Sequence, residues 1–512
     1  MNYILTGIIF VPIIAGIVVM LTKVVRNNNE KVIRISNVAS VVTFVLSLVL
    51  LVAFDSHHHG MQFVQSFEWI PLLHINYTVG VDGISLWLVV LTAFLGVLAI
   101  YFAPIQKKYM QYFLGLILIL EGGTLGVFAA MDSILFYVFW ELMLIPAYFI
   151  IGFWGEGNKV YATTKFVIYT LVGSLLMLVG IIWVTMVHYE MTHVVTFDIP
   201  TLLQTQMPGD VQFYMFVLFF MAFAVKIPIF PFHSWLPHAY ISCPIPALIL
   251  ITGAMSKAGA YGLIRFCLPL FPETIANWGL WIGSAAAGGI VYGAWIAVTQ
   301  RDLKALVAYS SISHLGFIAL GIFAFNGQGV EGSVLQMVNH GIIASALFII
   351  VGILEKRLRT RNLDQIRGLK QPMPVLYAMF MLITLAALGL PGLNGFVGEF
   401  LILMGVWGSH LLEGMGGLFV LAAGLAIVYA SIYMLFMFQG VMQESVEKKF
   451  DDVKDLDRKE MGLLIPACIL VVIIGLYPKG VIDRVSPAVD HVIHMEKKVK
   501  PFGGDSGHGG GH

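Results

Sequence analysis

Charge is in short supply. Only 11% of the 512 residues are Asp, Glu, Lys or Arg, and 59% are hydrophobic; a soluble domain carries roughly 25% charge. Most of the surface of such a chain must therefore be met by lipid rather than water. Acidic and basic residues balance at 29 each, and the basic ones are scattered between apolar runs. That excludes the continuous basic stripe a nucleic-acid face needs. Cysteine is scarce too. Cys243, Cys267 and Cys468 stand in apolar stretches and none is in Cys-x-x-Cys spacing, so neither a disulfide framework nor an iron–sulfur site is encoded. No nucleotide loop or quinone motif is recognisable, so no cofactor is expected on this chain. The first apolar run, Ile4 to Leu21, has no basic region before it and no small-residue cleavage motif after it, and is read as a first span rather than a removable signal.

Apolar runs near 20 residues, the length that crosses about 30 Å of hydrocarbon, are what the sequence has in abundance. Fourteen helices are predicted, near 3–22, 33–53, 83–104, 112–130, 133–153, 165–187, 212–231, 244–266, 278–298, 304–325, 333–354, 373–409, 416–440 and 462–477. The expected fold is an all-α integral membrane protein. With Met1 outside, the odd-numbered connections face the cytoplasm, where Lys and Arg concentrate. Those connections hold 21 basic residues, among them Lys23, Arg26, Lys107, Lys108, Lys159, Lys165, Arg301, Lys304 and runs from Lys356 to Lys370 and Lys448 to Lys459; the even ones hold only Arg265. Both termini are then expected outside a bacterial cytoplasmic membrane. The long connections from Asp55 to Asp82 and from His188 to Gln212 are free of Lys and Arg, as outer segments should be. The Gly/His tail, Gly503 to His512, is read as a disordered end rather than a metal-binding one.

Two of the helices cannot be continuous. The seventh runs into Lys226-Ile227-Pro228-Ile229-Phe230-Pro231 and on to Pro237, and three prolines so spaced do not fit one regular helix. The twelfth would be about 55 Å long at about 1.5 Å per residue, with Gly389-Leu390-Pro391-Gly392-Leu393-Asn394-Gly395 in its middle. Helices 4 to 8 and 9 to 13 form two blocks of five, and an odd number inverts the second in the membrane. Each broken helix is the fourth of its block, and paired interruptions at matching positions point to a transport site near the midplane. The predicted organisation is 1–108 (helices 1–3), 109–268 (first repeat), 269–442 (inverted repeat) and 443–512 (helix 14 and tail).

Four ionisable residues fall at membrane depth: Glu141 in helix 5, Lys226 at the helix 7 break, Lys257 midway along helix 8 and Glu399 after the helix 12 break. A charge at the bilayer centre costs at least about 2.5–3.5 kcal/mol, so such groups face the protein interior and mark ion paths. A packing role accounts for one buried Glu–Lys pair, but less well for four groups spread over both blocks. Lysine suits proton work because burial and a nearby carboxylate move its proton affinity in opposite directions. His314 and His340, in helices 10 and 11, are relay candidates, although a membrane histidine is as often a hydrogen-bonded core residue. His233 and His238 by the helix 7 break, Lys304 at the start of helix 10 and Glu121 beside Gly122-Gly123 complete the candidate set.

These residues resemble a known family: the M-subunit (chain 4) branch of the proton-translocating, antiporter-like subunits of respiratory complex I, NADH-quinone oxidoreductase. The likeness covers nearly the whole chain. It rests on Phe139-Trp140-Glu141-Leu142-Met143-Leu144-Ile145-Pro146, Lys226-Ile227-Pro228 through Trp235-Leu236-Pro237, Lys257-Ala258-Gly259-Ala260-Tyr261-Gly262, Asp302-Leu303-Lys304 through Ser313-His314, and Gly389 through Glu399. The resemblance implies that Glu141 and Lys226 are a coupling pair, Lys257 a central proton carrier and Glu399 the exit-side acid. It also implies partner subunits of L and N type, and NADH (or another donor), quinone, FMN and Fe–S clusters on partner chains. Glu399 favours M over the related L and N subunits and the Mrp antiporter D subunit, which usually carry lysine there. The absence of a long lateral helix after helix 14 points away from L. An Mrp cation/proton antiporter subunit, or a hydrogenase- or ferredoxin-linked relative, is the alternative transporter, and a membrane scaffold the non-transport one. One departure stands out: where the family commonly has Trp-Leu-Pro-Asp-Ala-His, this chain has Trp235-Leu236-Pro237-His238-Ala239-Tyr240.

Overall fold

The computed structural model describes residues 3–22, 28–103, 109–412, 414–444 and 453–495. Lys23, Arg26, Lys107, Lys108, Lys448 and the Gly/His tail lie outside the described residues. Among those described, thirteen helices are long and apolar enough to cross a membrane, and two shorter halves make a further crossing. In chain order they are α1 (Ile4–Leu21), α2 (Asn29–Ala53), α3 (Gly83–Phe102), α4 (Met110–Ala129), α5 (Ser133–Trp154), α6 (Lys159–Thr192) and α7a (Gly209–Lys226), followed by the short α7b (Trp235–Ser242). The second half comprises α8 (Ile245–Leu270) and α9 (Pro272–Thr299), then α10 (Leu303–Phe323), α11 (Gly327–Leu358), α12a (Pro374–Ala387), α12b (Asn394–Trp407), α13 (Gly416–Met442) and α14 (Arg458–Leu476). The protein is a multi-pass, all-α membrane protein with the two expected five-helix blocks, α4–α8 and α9–α13, and the fourth helix of each is broken.

Several helices outrun their apolar cores. Helix α6 has 34 residues and α11 has 32, because backbone pairing continues past the polar residues at which a hydropathy reading stops. The seventh helix is shorter than its apolar run: regular pairing ends at Lys226, and residues 227–234 form turns before α7b. Two elements were not anticipated. The second connection folds as an antiparallel hairpin of β1 (Gln62–Ile70) and β2 (Ile75–Val81). After α14 comes an amphipathic α15 (Lys479–Met495), whose Val481, Val485, Val489 and Val492 are buried.

Contacts between connections test the topology, since only connections at the same membrane face can touch. Arg361 of the eleventh connection pairs with Glu156 of the fifth at 3.3 Å and Asp302 of the ninth at 3.0 Å, and Arg357 pairs with Glu460 at the start of α14. These are the odd-numbered, basic connections. At the opposite end the hairpin bridges to Ala130, Glu273 N–H donates to Gln212 Oε1 at 3.3 Å, and Ser409 Oγ donates to the Ala324 carbonyl at 2.7 Å. An extra or missing span would have mixed the two sets.

Burial divides the helices by role. Helices α8, α10 and α11 are enclosed along almost their whole length, whereas α2, α6, α13 and α14 expose Val, Leu and Ile to what must be lipid. Ionisable groups therefore belong on the enclosed three and on the faces packed against them. Small residues allow the close approach. Added side chains at Gly253 of α8 and Gly341 of α11 would collide with the facing helix, and α12b approaches α11 through Gly398 against Gln336 and Gly405 against Gly329.

Candidate functional site

The close α8–α11 contact brings Lys257 to His340. Lys257 is fully enclosed, and its Nζ lies 2.7 Å from His340 Nδ1 and donates to the Thr252 carbonyl at 2.5 Å. That carbonyl is presented by a local change of backbone pairing. Over Ile251–Met255 the helix becomes a π-turn, with Ser256 N–H bonding Ile251 O at 3.1 Å. A second π-turn covers Leu263–Cys267. Such turns recur at functional sites because they re-aim carbonyls and side chains.

From His340 the polar line continues across α10 to α12b. The His340 and His314 rings lie 5.7 Å apart between centroids. His314 Nδ1 is 2.9 Å from Glu399 Oε1, to which Gln336 Nε2 also donates at 3.2 Å. The other carboxylate oxygen turns toward the helix break, where a Cβ at Gly389 would stand 3.1 Å from it. Gly389 and Gly392 have φ of +77° and +92°, a region that favours glycine, which accounts for both glycines in the break. Lys257, His340, His314 and Glu399 thus form one buried file that runs from the last helix of the first block into the second. Amine, imidazole and carboxyl groups can each take and give a proton, so the arrangement suits proton transfer rather than bond chemistry.

The first block holds a looser pair. Lys226, at the end of α7a, is 1% exposed, and its Nζ sits over the Trp140 ring, 5.2 Å from the centroid. Glu141, the next residue of α5, is half-buried. Among the described groups, Lys226 Nζ and Glu141 Oε1 have no hydrogen-bond partner, and the two residues make no direct ion pair. The break itself is well satisfied. Trp235 Nε1 donates to the Val225 carbonyl at 2.8 Å, and Ile229 N–H to Ala224 O at 2.9 Å.

The remaining candidates separate. Lys304 is buried, donates to the carbonyls of Ile241 (3.3 Å) and Cys243 (3.0 Å), and lines a cavity of about 800 Å³ at the end bearing the basic connections. His233 packs between Phe230 and Tyr292. His238 is exposed and turned to the Tyr161 ring, away from the buried file. Glu121 is fully enclosed in the space that Gly96 leaves between α3 and α4, and neither of its oxygens is hydrogen-bonded. The structure also presents groups the sequence reading did not single out: Gln336, Thr252, Ser256, and a buried pair of Arg265 with Asp82 at 2.6 Å. Asp82 caps α3 just outside its span. Burial opposes its charge, but the Arg265 guanidinium and Ser85 N–H outweigh burial and hold the carboxyl below its ordinary range. Among the described residues no cluster of His, Cys, Asp or Glu is arranged to hold a metal.

Residues 130–426, which contain every member of the file and of the pair, match the family model described as NADH:quinone oxidoreductase/Mrp antiporter, transmembrane. The chain belongs to this family. NADH-quinone oxidoreductase subunit M of Rhodobacter capsulatus is 37% identical over 509 residues, covering 96% of this chain and 97% of the relative. Among solved structures, a chain of respiratory complex I from Thermus thermophilus with bound NADH is similar with a TM-score of 0.86 and 30% identity, over 96% of this chain and 99% of that one. A chain of the Mrp complex from a Dietzia species shares the fold, with a TM-score of 0.80 at 22% identity, over 96% of this chain and 52% of that one. The family thus includes both of the transporter classes expected from the sequence, and the subunit-M relative matches over nearly the whole of both chains.

Proposed function

We propose that this chain is the proton-translocating membrane subunit of a complex I-type NADH:quinone oxidoreductase, carrying protons while partner subunits carry electrons. The observation that carries the reading is the buried file Lys257–His340–His314–Glu399, which joins the centre of one five-helix block to the broken helix of the other. NADH, FMN, Fe–S clusters and quinone belong on partner chains, and L-like and N-like antiporter subunits are the neighbours in the membrane. The basic connections face the cytoplasm, and both termini lie outside. The blocks 109–268 and 269–442 act as the two halves of the path.

Glu141 and Lys226 are the switch. They are close, but they make no direct ion pair, so a shift of α5 or α7a driven by a neighbouring subunit makes or releases the pair. Releasing it leaves an uncompensated buried ammonium at Lys226, whose repulsion favours driving the proton held by Lys257 onward. From there a proton moves to His340, to His314 and to Glu399, and leaves by the hydrated break in the twelfth helix.

The test is pumping in inverted vesicles by complexes carrying Glu141→Gln or Lys226→Ala. Both variants should insert and assemble, since removing a buried charge does not raise the insertion cost, and both should pump at most about a tenth as fast as wild type. Normal pumping by a fully assembled Glu141→Gln complex would reduce the pair to a packing role.

A further inference from the structure

The file from Lys257 to Glu399 leaves open how Lys257 is recharged, and one side chain at its other end is not yet used. Tyr240, on the short α7b, is fully enclosed, its ring packed edge-on against Phe348 with centroids 6.0 Å apart. Its hydroxyl faces the hydroxyls of Thr252 and Ser256, yet Tyr240 Oη and Thr252 Oγ1 are both buried without a hydrogen-bond partner. A single bridging water, or a small rotation, would satisfy both. On the far side of the pair, Lys257 Nζ donates to the Thr252 carbonyl and lies 3.4 Å from Ser256 Oγ. On the near side, the carbonyl of the residue after Tyr240, Ile241, accepts from Lys304, which lines the cavity of about 800 Å³.

We propose that Tyr240 is a proton-transfer residue that recharges Lys257 from the cavity at Lys304. In the transfer the phenol O–H bond breaks as its proton passes, through the Thr252–Ser256 hydroxyls or one water between them, to the lone pair of the neutral Lys257 amine. A proton arriving from the cavity side re-forms the O–H bond. Tyr240 ends as it began, one proton has moved inward, and nothing is oxidised or reduced. The inference rests on the pumping function proposed above and adds to it the uptake branch. It also gives the departure at position 240 a chemical meaning, since a phenol, like an imidazole, both donates and accepts.

The experiment is proton pumping by the assembled complex in inverted vesicles driven by NADH, normalised to the quinone reduction rate. Tyr240→Phe keeps the ring against Phe348 and removes only the hydroxyl; it should lower pumping about tenfold or more. Tyr240→His fits the site less well but restores a group that relays protons, and it should recover at least half of the wild-type rate. A structural role predicts the reverse order, with Phe tolerated and His not. Wild-type pumping by Tyr240→Phe, or a His variant no better than Phe, overturns the inference. Lys257→Ala in the same assay separates the two readings. If that variant stops pumping while Tyr240→Phe pumps normally, only the uptake branch fails; if Lys257→Ala itself pumps normally, the function proposed for the chain fails.

Discussion

At Glu399 a single carboxylate meets His314 Nδ1 at 2.9 Å, accepts from Gln336 and turns its second oxygen to a helix break, and the proposed function gives it the task of binding and releasing a proton. Glu399→Gln keeps the shape and the hydrogen bond from Gln336 but cannot cycle a proton, and should pump as poorly as Glu399→Ala. Glu399→Lys should retain part of the activity, because an amine also titrates, although its affinity is tuned differently. Vesicle pumping at matched assembly checks all three. Glu121 gives the opposite expectation: it is enclosed beside Gly96 and hydrogen-bonded to nothing in the file, so Glu121→Gln should pump within about twofold of wild type. The four charged candidates were legible in the sequence because an ionisable residue inside an apolar run has so few physical excuses. His314 and His340 were only half legible, since nothing in the sequence distinguishes a relay histidine from a packed one. Gln336 and the Thr252 carbonyl were not legible at all: the first is an ordinary polar residue until Gly398 lets α12b approach it, and the second is a backbone atom.

Among the elements, the two broken helices were the most readable, because proline spacing in one and excess length with Gly-Pro-Gly in the other each preclude a continuous helix. The π-turns in α8 left no signal, since a change from i+4 to i+5 pairing alters neither hydropathy nor composition. The hairpin of β1 and β2 did leave one: Phe, Val, Trp, Tyr and Thr are frequent on either side of Pro71-Leu72-Leu73. A search tuned to runs of 20 residues passes over it. The break in the seventh helix depends on Trp235, whose indole N–H satisfies the Val225 carbonyl at 2.8 Å. Trp235→Phe should destabilise the chain by about 1–3 kcal/mol, the cost of a buried carbonyl left unpaired. It should also lower the unfolding temperature of the purified complex, a shift a thermal melt would record. Gly395 is stricter, because a Cβ there would stand 2.1 Å from the Ala386 carbonyl. Gly395→Val should force α12a and α12b apart and reduce both assembly and pumping.

For the molecule as a whole, the apolar runs gave the number of crossings and the alternation of basic and non-basic connections tested it, and the contacts among Arg361, Glu156 and Asp302 at one end agree with that alternation. A cysteine introduced at exposed Arg359, beside the basic cluster, should react with a membrane-impermeant maleimide in inverted vesicles and not in intact cells; ready labelling in intact cells would invert the proposed orientation. The central claim is that protons cross through the file that begins at Lys257. The most direct measurement is the number of protons moved per electron pair by the purified complex in sealed proteoliposomes, with wild-type chain or Lys257→Ala. The account predicts that the variant assembles and still reduces quinone but moves fewer protons per pair; an unchanged ratio would contradict it.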